Sequence, residues 1–349
     1  MNAPMPPPRA RARQRRPGGA AGAPAIVGGL AVLVVGLTLA SVAVGYAPFD
    51  LPAAFADLLA GRATLPALVL WELRIPRALL GALVGFSLGL TGAVMQGYLR
   101  NPLADPGILG ISSAAALGAV IVFYGGFAVS LTLALPLGGI AGAAGAAFLL
   151  NMLAARGSGT LGLILAGVGL SSLAGALTAL ALNLSPNPYA ALEIVFWLMG
   201  SLADRGMDHV WLCLPLMAAG WLMMLSTAPA LDALALGEDT AESLGFDLVS
   251  ARLRIVTGAA LAVGSGVAVS GAIGFVGLVV PHLMRPLVGA RPGAVLLPSG
   301  LAGAALVLAA DIAVRLLATR PELKLGVVTA LVGAPFLILL LLRGGGRRA

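Results

Sequence analysis

Charged residues are scarce in this sequence. Only 10% of the 349 residues are Asp, Glu, Lys or Arg, whereas a soluble domain normally carries about 25%. That deficit excludes an ordinary cytosolic enzyme, a disordered chain and a nucleic-acid-binding protein. Cysteine is nearly absent too, because Cys213 is the only one. An internal disulfide and a cysteine-based zinc site are therefore excluded.

Lysine occurs once, at Lys324, between Leu323 and Leu325. An ATP-binding P-loop requires Gly-Lys followed by Ser or Thr, so this chain cannot form one. Any ATP-driven activity must depend on another subunit. The two histidines, His209 and His282, lie far apart in the sequence, and no His, Cys or Asp group has metal-ligand spacing. We expect no catalytic site and no metal or cofactor bound by this chain.

Apolar residues, in contrast, make up 59% of the chain, and the mean hydropathy is +1.01. A helix needs about 20 apolar residues to cross a bilayer, so the sequence predicts an all-α integral membrane protein. The predicted spans number ten, at residues 25–46, 77–98, 107–124, 129–154, 160–183, 208–227, 252–270, 274–289, 294–317 and 326–342. The eighth is short and contains Pro281 and Pro286. We expect it to face other helices, since lipid cannot satisfy a broken backbone.

Basic residues divide unequally between the two sides of such a protein. Residues 1–24 are rich in Pro and Arg and predict a disordered cytoplasmic tail, with a signal peptide as the competing interpretation. The ten-helix domain then covers residues 25–343, and residues 344–349 form a second cytoplasmic tail. Of the 21 basic residues, the side opposite the tails holds seven, at Arg62, Arg74, Arg77, Arg205, Arg315, Arg320 and Lys324. This asymmetry indicates that both termini are cytoplasmic.

Glycine recurs every four residues on the second predicted span, at Gly81, Gly85 and Gly89. Small residues at this spacing allow two helix backbones to approach closely. Tight helix packing and a sliding helix contact both fit the pattern, and glycines alone do not separate them.

Two polar segments on the tail side stand out. Residues 100–107 contain two prolines and an Asn, which predict a rigid turn. In the longer loop 228–251, Gly237 breaks the chain and Glu238 opens a short helix, where the helix dipole favours acids. Gly245 is suited to end it. This segment is either a rigid helix that a partner moves or a surface helix without a partner.

Asp311 is the only carboxylate well inside a predicted span, and Arg315 follows four residues later on the same face. The spacing favours an ion pair, while a proton carrier is the alternative. The arginines of segment 71–77 and of loop 311–326 lie on the side opposite the tails. Exposed arginines there would suit an acidic soluble partner or an anionic ligand, or would extend to lipid headgroups.

Seven segments resemble, in order, the permease subunits of bacterial ABC importers for iron–siderophore complexes, haem and cobalamin. They cover most of residues 70–343 and are LRIPRALLGALVGFSLGLTGAVMQGYLRNPLADPGILGISSAAALGA (73–119), LILAGVGLSS (163–172), FWLMGSLA (196–203), LGEDTAESLG (236–245), GAIGFVGLVVPHLMR (271–285), ADIAVR (310–315) and ELKLGVVTALVGAPFLILLL (322–341). The resemblance implies the type II ABC importer permease fold and a functional homodimer. It also implies two ATPase subunits that carry ATP and Mg²⁺, and a substrate-binding protein.

The resemblance also implies roles for individual residues. It assigns docking of the binding protein to Arg74 and Arg315. Coupling to the ATPase falls on segment 232–246, with matching positions at Gly237, Glu238, Ala241, Leu244 and Gly245. The inner gate falls on Asn101, Leu103 and Thr160, followed by Leu161 where some relatives have a small polar residue. Residues 184–195 and the segment before the second span match no usable pattern.

Together these features predict a transport subunit, not an enzyme, in a bacterial inner membrane. It would take up a metal chelate by alternating access along an apolar path, and the protein would contact membrane lipid but no nucleic acid. Ferric siderophore is the favoured cargo because iron importers are the commoner members of the family, with haem and cobalamin as alternatives. A secondary transporter that uses Asp311 is the competing class.

Overall fold

The computed structural model describes residues 23–45, 50–126, 133–155, 159–185, 187–317, 319 and 321–345. Most of the two predicted tails, 1–24 and 344–349, lies outside these residues. The described residues form fourteen helices and no strand. The helices are α1 (Ala23–Ala43), α2 (Leu51–Leu59), α3 (Leu65–Tyr98), α4 (Ile111–Tyr124), α5 (Ala134–Ala155), α6 (Gly159–Asn183), α7 (Pro188–Leu198), α8 (Met207–Leu225), α9 (Ala228–Leu234), α10 (Glu238–Ser243), α11 (Leu248–Ser270), α12 (Val276–Val288), α13 (Pro292–Leu317) and α14 (Leu325–Gly345).

Each of the ten predicted spans coincides with one of these helices. Within the described residues, seven helices are long and apolar enough to cross a membrane, namely α1, α3, α5, α6, α8, α11 and α13. The other three predicted spans coincide with shorter apolar helices, in α4, α12 and α14. The all-helical membrane fold is therefore confirmed, while the count of ten spans stays a prediction.

The centre of the bundle is formed by α3 and α11. In each of them 78% of the most apolar stretch is buried, whereas the corresponding value is 17% in α6 and 6% in α1. Apolar side chains on α6 and α1 therefore face outwards, where lipid or another protein subunit must cover them.

Close packing of α3 against α13 depends on the glycines at four-residue spacing. A Cβ atom on Gly85 would lie 2.4 Å from the carbonyl oxygen of Gly303, and one on Gly89 would lie 2.1 Å from that of Ser299. At Gly81 the nearest neighbour is a flexible Leu308 side chain at 3.2 Å. The two backbones thus touch at Gly85 and Gly89, which confirms tight packing.

The eighth predicted span is a short helix preceded by irregular chain. Helix α12 has 13 residues, about 20 Å of length, against a hydrocarbon core of about 30 Å. Residues 271–274 before it are not helical, and the chain is tied at this point by the Ser201 amide, which donates to the Ser270 carbonyl at 2.7 Å. Because Val276, Val280, Pro281 and other α12 residues are buried, the expectation that this helix faces protein is confirmed.

Candidate functional site

Arg74 and Arg315 lie together at one end of the bundle, which we call the Arg74 end. Only 8% of Arg74 and 5% of Arg315 is exposed. The Arg315 guanidinium donates to the carbonyls of Ser41 at 2.7 Å and Val44 at 2.6 Å, and Arg74 donates to the Ala43 carbonyl at 3.0 Å. The expectation that these arginines are exposed is wrong. The last carbonyls of α1 have no intrahelical partner and carry the negative end of the helix dipole, so they attract both cations.

Asp311 is held by two arginines beside this cap. Arg315 contacts one carboxylate oxygen at 2.9 Å, and Arg77 contacts the other at 2.8 Å and also pairs with Glu322. The predicted Asp311–Arg315 ion pair is confirmed. Sequence reasoning missed the role of Arg77, although the second arginine of the L-R-x-P-R motif was a visible signal. The cluster ties α3 and α13 to the segment just before α14.

A cavity of about 710 Å³ opens at the Arg74 end between α7, residues 199–205 and the start of α14. Lys324 lies 5.8 Å from the Phe196 ring centroid, within reach of a cation–π interaction. Burial lowers the pKa of Arg205, whose Nε donates to the Val269 carbonyl. Both signs of charge line this α7 cavity, through Glu193, Asp204, Glu322, Arg205 and Lys324. Sequence reasoning did not anticipate α7, which falls in the unmatched segment 184–195.

An apolar groove of about 570 Å³ continues from the α7 cavity along α14, and the two share Met199 and Val327. Its lining contains no charged residue and consists of Met199, Ala272, Gly326, Val327, Ala330, Leu331, Ala334, Pro335 and Ile338. A charged opening thus leads into a groove where a bulky molecule would meet only weak, non-directional contacts.

The opposite end of the bundle, which we call the Glu238 end, carries the predicted short helix. Predicted segment 232–246 forms α10 and the end of α9. Gly237 and Gly245 flank α10 with φ of +116° and +86°, where a side chain would strain the backbone. Ala241 is fully buried and anchors the helix, whereas Leu244 just beyond it is 58% exposed. Leu244 is thus an exposed apolar side chain beside an anchored helix.

The predicted gate and the predicted coupling helix meet at Glu238. The Thr160 hydroxyl donates to Glu238 Oε1 at 3.1 Å, and Arg100 Nη2 donates to the same oxygen at 3.5 Å. Asn101 instead accepts from the Leu103 amide at 2.9 Å within its own turn. Among the described residues no hydrogen bond joins Asn101 or Leu103 to Thr160, so the structure brings together only part of the predicted gate.

Side-chain hydrogen bonds brace the turn after α3. Asp105 accepts from the Gly107 amide at 2.8 Å, and Ser171 of α6 donates to the Gly107 carbonyl at 3.3 Å. Burial raises the pKa of Asp105. The turn therefore holds the start of α4 against α6 at some electrostatic cost.

The apolar helices define a membrane protein, and the charged cavity that leads into a charge-free groove fits a transport subunit. The sequence contains no nucleotide-binding P-loop. The chain belongs to the FecCD transport family, which matches residues 32–343. Members are permease subunits of ABC transporters and have no catalytic activity of their own. They work in the inner membrane with ATPase subunits and a substrate-binding protein, typically as dimers. The family resemblance seen in the sequence is thus confirmed.

Individual relatives carry more specific names. The chain is 42% identical over 281 residues to the vitamin B12 import system permease protein BtuC of Klebsiella pneumoniae, covering 80% of this chain and 84% of the relative. It is 38% identical to the uncharacterized ABC transporter permease protein YvrB of Bacillus subtilis, covering 80% of each chain. A solved structure described as an inward-facing metal-chelate type ABC transporter has a TM-score of 0.79 and 32% identity, covering 92% of this chain and 99% of that one.

Proposed function

We propose that this chain is the permease subunit of an ATP-driven importer for cobalamin. The observation that carries the proposal is the 42% identity over 281 residues to the vitamin B12 permease of Klebsiella pneumoniae. A cobalamin permease of Halobacterium salinarum, 39% identical over 280 residues, supports it as well. Ferric siderophore, the cargo favoured by family frequency alone, and haem belong to the same transport class and are the competing cargoes.

The Arg74 end is the external side in this proposal, and the Glu238 end is the cytosolic side. The unequal division of basic residues supports this orientation, because cytoplasmic loops carry the excess of Arg and Lys. Ten spans then leave both termini in the cytosol. The sparse burial of α6 supports a homodimer in which a second copy covers part of the outward-facing apolar surface.

Cargo enters through the α7 cavity and passes along the α14 groove, which two copies present to each other. The charge-free lining of the groove supports this path, because a molecule that binds weakly inside is released readily. The binding protein supplies the affinity. Nanomolar binding of cobalamin by the purified permease without its binding protein would contradict this account.

The binding protein docks at the Arg74 end and the ATPases at the Glu238 end. For Arg74 and Arg315 to pair with carboxylates of a binding protein, they must exchange bonds with the carbonyls of α1 for bonds with the partner. On the cytosolic side Leu244 contacts the ATPase, while Gly237, Ala241 and Gly245 hold α10 in shape. Asn101, Leu103 and Thr160 close the inner end of the path.

The test is uptake by the permease reconstituted in liposomes with its ATPase and binding protein. Labelled cyanocobalamin should accumulate only when ATP is present on the side of the membrane that carries the ATPase. An uncoupler should not prevent this uptake. Ferrichrome and haem serve as parallel cargoes. Uptake of ferrichrome or haem without uptake of cobalamin would refute cobalamin as the cargo. Uptake that an uncoupler abolishes and ATP depletion leaves intact would refute the ABC mechanism in favour of the secondary transporter.

A further inference from the structure

We infer that Glu238 is a positioning residue that links the coupling helix to the inner gate. Its carboxylate holds Thr160 and Arg100 in the conformation seen here and releases them when the ATPases displace α10. The inference rests on the proposed function, since it requires an ATPase that moves α10. It adds to that function the atom through which the movement reaches the gate.

Three separate elements converge on one carboxylate oxygen. Thr160 is the second residue of α6, and Arg100 lies two residues after the end of α3. Both donate to Oε1 of Glu238, the first residue of α10, at 3.1 and 3.5 Å. The pair Thr160–Glu238 joins segments 78 residues apart, so no local turn accounts for the contact. Moving α10 therefore displaces the start of α6 and the end of α3 together.

The surroundings make α10 move as a unit. Gly237 and Gly245, both at positive φ, form sharp turns on either side, and the helix between them is only six residues long. Ala241 forms the buried side of the helix, and Leu244 is exposed at its end. A partner that pushes on Leu244 tilts α10 about its buried side and displaces Glu238 at its opposite end.

The strength of the contact fits an interaction that must break in every cycle. The side chains of Arg100 and Glu238 are 49% and 48% exposed, and an exposed ion pair shifts an equilibrium by only about two- to fivefold. Two conformations that interconvert during transport must differ little in stability. A buried ion pair at this place would hold the gate in one state.

The first experiment measures ATP hydrolysis by the permease–ATPase complex without cargo. Glu238→Ala, which removes the acceptor of both hydrogen bonds, and Thr160→Val should each raise basal hydrolysis by about two- to fivefold, because the ATPases then close without moving the gate. The double variant should equal Glu238→Ala, since that change already removes the contact with Thr160. Wild-type basal hydrolysis in the single variants, or effects that multiply in the double variant, would overturn the inference.

The matched control is Asp57→Ala at the Arg74 end. The Asp57 carboxylate accepts from Arg62 at 3.1 Å and from Thr64 at 3.0 Å, so it also joins an arginine and a threonine at an exposed site. Loss of a generic surface ion pair would affect both carboxylates alike. We expect wild-type basal hydrolysis from this control, and a rise equal to that of Glu238→Ala would overturn the inference.

The second experiment places cysteines at positions 160 and 238 in a Cys213→Ser background. A short reducible thiol linker should join them in the nucleotide-free complex, and the yield should fall at least fivefold after vanadate trapping. Joining them should stop ATP hydrolysis, and reduction should restore it. Equal yields in both states, or unaltered hydrolysis by the linked complex, would overturn the inference. Neither readout uses cargo, so a wrong cobalamin assignment would leave these results intact.

Discussion

Replacement of Gly89 by alanine is expected to force α3 and α13 apart. The new Cβ would lie 2.1 Å from the Ser299 carbonyl oxygen and 3.1 Å from Cα of Gly303. Ordinary contacts to a Cβ begin at 3.4 Å, so the two backbones must separate by roughly 1 Å in a close-packed interior. Both neighbouring atoms belong to the backbone, and neither can rotate away as a side chain would.

The size of the effect follows from two opposing terms. Overpacking of this kind costs about 1–3 kcal/mol, while alanine gains at most about 1 kcal/mol over glycine in a helix. The control is Gly145→Ala on α5, where a Cβ meets nothing within 4 Å and only the favourable term acts. We therefore expect the Gly89 variant to unfold about 5 °C below the control.

Cys213 provides the assay. It is the only cysteine and is fully buried, so a fluorogenic thiol reagent labels the protein only as it unfolds. Heating both variants in detergent with the reagent gives the two midpoints directly. A Gly89→Ala midpoint equal to or above that of Gly145→Ala would refute the reasoning that backbone contact fixes the spacing of α3 and α13.

Three further predictions concern polar and exposed positions. Arg315→Met should lower stability by about 3 kcal/mol, because Asp311 loses a buried partner, and the same thiol assay would show no loss if the pair were dispensable. Burial raises the pKa of Asp105, so the folded protein binds the carboxyl proton more tightly than the unfolded chain does. The stability gained from this proton is full below the ordinary carboxyl pKa of about 4 and is lost as the pH rises through the raised pKa. Asp105→Asn, which still accepts from the Gly107 amide, should be more stable than wild type at pH 8 but not at pH 4, and equal midpoints at both pH values would contradict the burial argument. Leu244→Asp should weaken copurification of the ATPase about tenfold, from about 1.5 kcal/mol of lost apolar burial, and undiminished copurification would place the contact elsewhere.

Features that depend on local sequence were predictable. The ten apolar segments each coincide with a helix, since a run of about 20 apolar residues carries its own signal. The glycines at four-residue spacing indicated a close helix contact, and the structure shows it at Gly85 and Gly89. The i,i+4 pair of Asp311 and Arg315 likewise follows from helix geometry alone.

Features that depend on distant parts of the chain were not predictable from local patterns. Arg74 and Arg315 were expected at the surface because Arg74 precedes a predicted span and Arg315 lies near the outer end of another. They are buried because the carbonyls at the end of α1, more than 25 residues before Arg74, reach both guanidinium groups. Nothing in the sequence around either arginine shows that acceptor.

By itself, the sequence determined the class of this protein. Scarce charge, long apolar runs and the missing P-loop define a helical membrane subunit without its own ATPase, because each property follows from composition or short-range spacing. Only the tertiary structure decided which polar groups meet: Arg77 on Asp311, the α7 cavity above the α14 groove, and Thr160 on Glu238. Such contacts join residues tens to hundreds of positions apart, and their partners are chosen by helix packing, which no short stretch of sequence encodes.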